Sequence, residues 1–158
     1  MAEEPVRGGA QRSGVYQILS GRAEETVGFS IDDVVQDLYE LASPESSPAS
    51  RFRALFAPEA TIVGAGDDNE LRGPLSVEAY LALREERGPR RERELSRRTE
   101  RFGPIAQVFS TYRRERAGHE ERGINSLHLR HDGERWWILS LLWTPERAEQ
   151  PLPKRYLP

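Results

Sequence analysis

Residues 135–144 constrain the fold more than any other stretch of the chain. Trp136, Ile138 and Leu142 fall on one side of an alternating pattern, and Trp137, Leu139, Leu141 and Trp143 on the other. A strand that is apolar on both sides lies in the middle of a sheet, or in a sheet covered twice. It therefore needs strands beside it and another layer above it. Just before it stands His131-Asp132-Gly133-Glu134. Asp-Gly between two β-like runs is a strong hairpin signal, so 124–130 reads as the partner strand. Residues 105–112, with Ile105, Val108, Phe109, Thr111 and Tyr112, predict another strand. The charged stretch 113–122, containing Gly118, reads as a turn region.

The first half has a different period. Ser30 is a helix cap, with Asp32 and Asp33 in the first turn, where the helix dipole favours negative charge. Ile31, Val34, Val35, Leu38, Tyr39 and Leu41 follow at spacings of three and four, so the helix buries one face. It ends before Ser43-Pro44, because a residue preceding proline is pushed out of the α region. Phe52, Leu55 and Phe56 predict a second short helix over 49–57, stopped by Pro58. Residues 60–63 read as a short strand, and 67–70 and Gly73-Pro74 as turns. Ser76 then caps a third helix, with Val77, Tyr80, Leu81 and Leu83 on its apolar side and Gly88-Pro89 at its end. Residues 90–102 are a charge run in which Leu95 and Phe102 are the only large apolar residues, so pattern alone gives a solvated loop. Helices first and an antiparallel meander second imply an α+β fold with helices on one face of a curved sheet.

Composition narrows the function. The 158 residues suit one domain. A net charge of −3 excludes a chain-wide basic field for nucleic acid. With no cysteine there are no disulfides, thiolate metal sites or cysteine nucleophiles. No apolar run reaches the roughly 20 residues of a membrane helix. The start of the chain lacks the basic and apolar regions of a secretory signal, and the reading expects a cytoplasmic protein. It divides the chain into a flexible segment 1–29, a domain over 30–146 and an extended Pro-rich tail 147–158. The basic residues are arginines, Lys154 apart. GC-rich coding accounts for that, and the interleaved glutamates argue against an arginine surface for phosphate.

Three stretches carry a resemblance to a known family. The first is Val34, Val35, Leu38 and Tyr39 followed by 52–56 and 60–63, a helix, short helix and F-x-x-x-A-x-I/V opening. The second is Gly103-Pro104-Ile105-Ala106-Gln107-Val108-Phe109-Ser110-Thr111-Tyr112, a G-x-x-A-x-V-x-S-x-Y strand. The third is Gly123-Ile124-Asn125-Ser126-Leu127 with a D-G-x-x-W-x-I hairpin at Asp132–Ile138, and Trp143. Over about 30–146 the chain resembles the NTF2-like superfamily, the nuclear-transport-factor-2 and SnoaL-like group. The resemblance implies a cone: a strongly bent antiparallel sheet with about three N-terminal helices on its concave face, closing a pocket. It also makes 90–102 a strand. Family members include ketosteroid isomerase, scytalone dehydratase, limonene epoxide hydrolase and polyketide cyclases, and many others only bind ligands or partners.

The catalytic patterns of those enzymes are not matched residue by residue. Asp37 lies beside Gln36 and Glu40 and faces water, and Glu92, Glu94 and Glu100 sit among arginines as a solvated ladder of cross-strand pairs. His119 and His131 fall in turns, His128 on a surface strand, and His128-x-x-His131 does not make a metal site. Gly64-Ala65-Gly66 lacks the helix that a phosphate loop requires. Arg90-Arg91 and Arg113-Arg114 are interrupted by Glu92, Glu94 and Glu115. Better candidates are polar groups within apolar strands. Ser110 and Tyr112 share a face with Ala106 and Val108, and Asn125 shares one with Leu127 and Leu129. A buried polar group needs a partner, which a ligand, a bound water or a neighbouring backbone group supplies. Tyr39, Ser110, Tyr112, Asn125 and Trp143 are the candidate binding residues. Packing roles compete for Tyr39 and the tryptophans, and an interface role for Tyr112.

The sequence reading is thus a small-molecule or partner-binding domain with a hydrophobic pocket, no cofactor and no metal. The alternative is an isomerase, dehydratase or cyclase acting on a small hydrophobic substrate. A third reading is a partner-binding module with a filled interior. The expected assembly is a homodimer through the outer face of the sheet, because helices cover only the inner face of the last strand. The rival is coverage of that face by the chain's own C-terminal segment.

Overall fold

The computed structural model describes residues 30–43, 45, 48–65 and 70–158. The expected flexible segment 1–29 and the turn at 67–69 lie outside the described residues. Helix α1 (Ile31–Glu40) begins as a capping box. The Ser30 hydroxyl accepts from the Asp33 N–H at 3.0 Å, and the Asp33 carboxylate accepts from the Ser30 N–H at 3.2 Å. Its apolar stripe, Ile31, Val34, Val35, Leu38 and Tyr39, is buried. Helix α2 (Ala49–Arg53) is shorter than the pattern over 49–57 implies, because Phe56 already belongs to strand β1 (Phe56–Ala65). Helix α3 (Val77–Arg87) starts on the Ser76 hydroxyl, which accepts from the Ala79 N–H at 3.1 Å. It stops at Gly88, whose φ of 72° ends the helical run.

The remaining strands are β2 (Leu71–Ser76), β3 (Arg91–Phe102), β4 (Ile105–Arg116), β5 (His119–His131) and β6 (Trp136–Pro145). They form one six-stranded sheet in the order β2-β1-β6-β5-β4-β3, antiparallel throughout except where β1 pairs with β6. The doubly apolar strand β6 is therefore flanked on both edges, as its composition requires.

Three expectations are corrected. The charged region 113–122 is not a long turn: β4 and β5 continue through it and reverse at Ala117-Gly118, with φ of 50° and 76°. Gly73-Pro74 is not a free turn but lies within edge strand β2, where a proline without an N–H is tolerated. The simple alternation of β6 also fails. The register slips between His128↔Ser140 and Leu129↔Ile138, so Leu139 is an extra residue. A bulge of this kind moves everything beyond it to the other face. Trp136, Ile138, Leu141 and Trp143 therefore share the buried face, while Leu142 is 40% exposed.

That buried face packs on α1, α2 and α3 around Val34, Val35, Phe52, Leu55, Ile62, Leu127 and Leu129. The outer face receives the chain's own end. After β6 the chain runs back across β3 and β4 and makes a 3₁₀ turn (Lys154–Tyr156). The Thr111 hydroxyl donates to the Tyr156 carbonyl at 2.6 Å, and the Tyr156 ring lies 5.7 Å from that of Phe109. The Pro-rich segment thus covers part of the outer patch.

Candidate functional site

The inward positions of β3, β4 and β5 carry the site. On β4 these are Ala106, Val108, Ser110, Tyr112 and Arg114, at the strand period of two. On β5 they are Gly123, Asn125, Leu127 and Leu129. Strand β3 faces them with Glu92 opposite Arg114 and Glu94 opposite Tyr112.

A directed hydrogen-bond chain links three of the candidate residues. Asn125 donates one amide proton to the Tyr39 hydroxyl at 3.1 Å and the other to Glu92 Oε1 at 3.3 Å. Both donors of the buried amide are then used. The Tyr39 and Ser110 hydroxyls lie 2.7 Å apart, and Ser110 donates to the Glu94 carboxylate. The only order in which each donor finds an acceptor runs Asn125 to Tyr39 to Ser110 to Glu94. Glu94 in turn is gripped by Arg97, with contacts of 3.1, 3.0 and 2.6 Å.

The second part is ionic. The Glu92 side chain is 5% exposed, and Arg114 donates to it at 3.0 Å with a side chain 7% exposed. Arg90 stands 3.5 Å from the same carboxylate oxygen and donates to the Tyr80 hydroxyl at 2.6 Å. Arg114 also reaches Glu121 at 3.0 Å, and its guanidinium lies over the Tyr112 ring at 4.5 Å and the Trp143 ring at 5.9 Å. Burial pushes the Glu92 carboxyl up. The positive charges of Arg114 and Arg90, with hydrogen bonds from Arg114 and Asn125, outweigh it and hold the group below its ordinary range. Burial raises the Tyr39 and Tyr112 hydroxyls well above the usual phenol range. The Tyr112 hydroxyl has no hydrogen-bond partner among the described residues.

The structure thus gathers Tyr39, Ser110 and Asn125 in one network, and Tyr112 and Trp143 against Arg114. Sequence reasoning missed the centre of this arrangement. Glu92 read as part of a solvated ladder, and Arg114 as part of a charged turn. The available signal was period: Arg114 continues the series Ala106, Val108, Ser110, Tyr112, and Asn125 marks the same layer on the next strand.

The apolar core beneath the helices is tightly filled among the described residues. Among Leu38, Phe52, Tyr80, Leu141 and Trp143 a volume of about 10 Å³ remains, the size of a single water site. The space among these apolar side chains is too small for an organic ligand. Open space lies beside the network, where Gln36, Tyr39, Glu92, Glu94 and Arg97 border about 340 Å³, and at one end of the sheet, where the ends of β1, β2, β4, β5, β6 and α3 enclose a cleft of about 730 Å³. Arg72, Arg87, Arg114, Arg116, His119 and Arg147 line it. Arg114 is common to both regions, forming the floor of the cleft and the outer limit of the buried network.

No protein-family profile matches the sequence, and no curated protein does. Solved structures do match. A conserved protein from Planctomyces limnophilus superposes with a TM-score of 0.60 at 16% identity, covering 73% of this chain and 94% of that one. An NTF2-like protein of unknown function from Pseudomonas putida gives 0.59 at 15%, covering 80% and 96%. Another from Shewanella baltica gives 0.57 at 17%, covering 75% and 92%. The chain has the NTF2-like fold.

Proposed function

We propose that this NTF2-like domain is a binding module that takes a small ligand at the open end of its sheet and does not catalyse a reaction in its interior. Fold alone does not decide this, since the same fold carries many functions. The observation that carries the reading is the contrast between an apolar core with only about 10 Å³ left among its side chains and an open, arginine-lined cleft of about 730 Å³. An isomerase or dehydratase needs a desolvated base beside a space where substrate sits. Glu92 is desolvated, but it is ionised and paired with Arg114. The open space of about 340 Å³ beside it is lined by Gln36, Tyr39, Glu40, Arg93, Glu94 and Arg97, with no aliphatic side chain among the described residues to hold a hydrophobic substrate. Tyr39, Ser110 and Asn125 then act as a scaffold that fixes β4 and β5 beneath the cleft, and Tyr112 and Trp143 seat Arg114 at its floor. For assembly we keep the homodimer through the outer face, where Phe109 and Leu142 remain 42% and 40% exposed with the C-terminal segment docked.

Amide and methyl NMR spectra during a fragment screen test the binding reading. Shifts confined to Arg116–His119 and Glu146–Arg147 are expected. Shifts at the Leu38 and Leu141 methyls with ligand retained in the interior would overturn it.

A further inference from the structure

Within that reading, we infer that the cleft selects a small, multiply charged oxyanion, a phosphate ester or polycarboxylate. The argument rests on which wall charges are already used. The three glutamates of the wall are all engaged. Glu121 holds Arg114 at 3.0 Å, Glu120 holds Arg113 at 2.5 Å, and Glu146 holds Arg122 at 2.7 Å while accepting from the Leu152 N–H at 2.6 Å. Arg113 and Arg122 are not themselves cleft residues. The wall's negative charge is therefore spent largely on cations that point elsewhere.

Three of the wall's positive charges are not spent. Arg87, Arg116 and Arg147 line the cleft and have no ion-pair partner among the described residues. They come from three separate elements: the last residue of α3, the last residue of β4, and the second residue past β6. Arg147 adds a specific demand, because its Nε–H is buried without a hydrogen-bond partner among the described residues. A buried donor of a charged group is costly to leave unmade, and an acceptor oxygen in the cleft satisfies it. Guanidinium forks match carboxylate and phosphate oxygens two at a time. Three forks on three elements fit a ligand with more than one anionic group, and a cleft of about 730 Å³ is larger than inorganic phosphate needs. Among the described residues no phenylalanine, tyrosine or tryptophan lines the cleft to stack a base, which disfavours a nucleic-acid strand. The chain's net charge of −3 means that the attraction is local to this cleft.

The test is calorimetric titration of the full chain with pyrophosphate and with citrate at low ionic strength, with amide spectra recorded alongside. Binding with shifts at Ala117, Gly118 and His119 is expected, weakening as salt rises. Arg147→Ala and Arg116→Ala should each weaken it about tenfold or more, the loss expected when one charge-assisted contact is removed. Arg130→Ala removes an equal charge from the exposed Glu59 pair and should change affinity less than twofold. If Arg147→Ala perturbs the fold, the Arg116 variant carries the test. Equal weakening by Arg130→Ala would mean diffuse charge only and would overturn the inference. So would the absence of heat and shifts with both anions at millimolar concentration, or binding of a Glu-rich peptide in their place. If a neutral disaccharide shifts the same amides while both anions fail, the anion inference falls and the binding reading of the cleft stands.

Discussion

Replacing Glu92 by glutamine tests whether the buried ion network is a structural element. The change keeps shape and removes one charge from a side chain that is 5% exposed. Removing one member of a buried pair costs about 3–5 kcal/mol, because the partner is left uncompensated. Here Arg114 keeps Glu121 at 3.0 Å, a partner 40% exposed, and such a pair is worth at most about 1 kcal/mol. Against that, the two Glu92 oxygens accept from different donors, Asn125 and Arg114. The amide NH₂ of glutamine must face one of them, donor against donor. The net expectation is a loss of about 3 kcal/mol, toward the lower end of the range for a broken buried pair. With a urea m-value of about 2 kcal/mol/M, the unfolding midpoint falls by about 1.5 M. Tryptophan fluorescence reads it, since Trp143 adjoins Arg114. The pH dependence has a defined sign. The Glu92 carboxyl is held below its ordinary range, so its stabilisation is complete above the unfolded value of about 4.3 and is lost as pH falls below that. The E92Q protein should lack this part of the acid limb. A midpoint shift under about 0.5 M, equivalent to roughly 1 kcal/mol, would refute the network's role.

Other consequences follow from single sites. Gly64→Ala would place a Cβ 1.9 Å from the Trp143 ring; overpacking of this kind costs about 1–3 kcal/mol and should change the near-UV circular dichroism of the tryptophans. Asp132 accepts from the Glu134 and Arg135 N–H groups and from Trp137 Nε1, which hold its carboxyl down at about 2. Its stabilisation, about 1 kcal/mol after screening at this exposed turn, is complete above the unfolded value of about 3.9 and lost as pH falls toward 2. Acid unfolding of Asp132→Ala should show no such slope, and an unchanged slope would contradict the turn's account. For assembly, sedimentation equilibrium should give about twice 18.0 kDa, and Leu142→Asp should return it to 18.0 kDa; a monomeric parent protein would leave the outer face to the C-terminal segment alone.

How far the sequence reveals the molecule depends on whether burial follows hydropathy. Helix α1 is legible because its inward residues are all apolar and its cap is local. Strand β3 is not, because its inward positions include Glu92, Glu94 and Arg97, which are satisfied by cross-strand and helix partners far away in sequence. Such pairing erases the alternation on which pattern reading rests, and the resemblance alone supplied that strand. In β6 the composition was informative but the face was not, since one extra residue at Leu139 reverses it. Asn125, Ser110 and Tyr39 stood out because polar groups among apolar neighbours demand partners. Arg114 stands near the start of a charged run, where its place in the inward series Ala106, Val108, Ser110, Tyr112 is masked by the charges on either side.

The arrangement at Arg114 allows stability and ligand affinity to be separated. Its guanidinium is neutralised by two carboxylates, Glu92 from within and Glu121 from the cleft side. It therefore adds little net charge to the cleft in the native protein, and Arg87, Arg116 and Arg147 supply the field. Glu121→Gln removes the cleft-side carboxylate, which is 40% exposed, while leaving the buried pair intact. An anion about 8 Å away at an effective dielectric constant of about 40 gains roughly 1 kcal/mol from that change, or about fivefold in affinity. Stability should fall by less than about 1 kcal/mol, as for other partly exposed pairs. Pyrophosphate titration and urea unfolding of the same E121Q sample read the two effects together. Tighter binding with nearly unchanged stability is expected. Unchanged affinity would show that Arg114 does not face the bound anion, and weaker binding would show that Glu121 itself contacts the ligand.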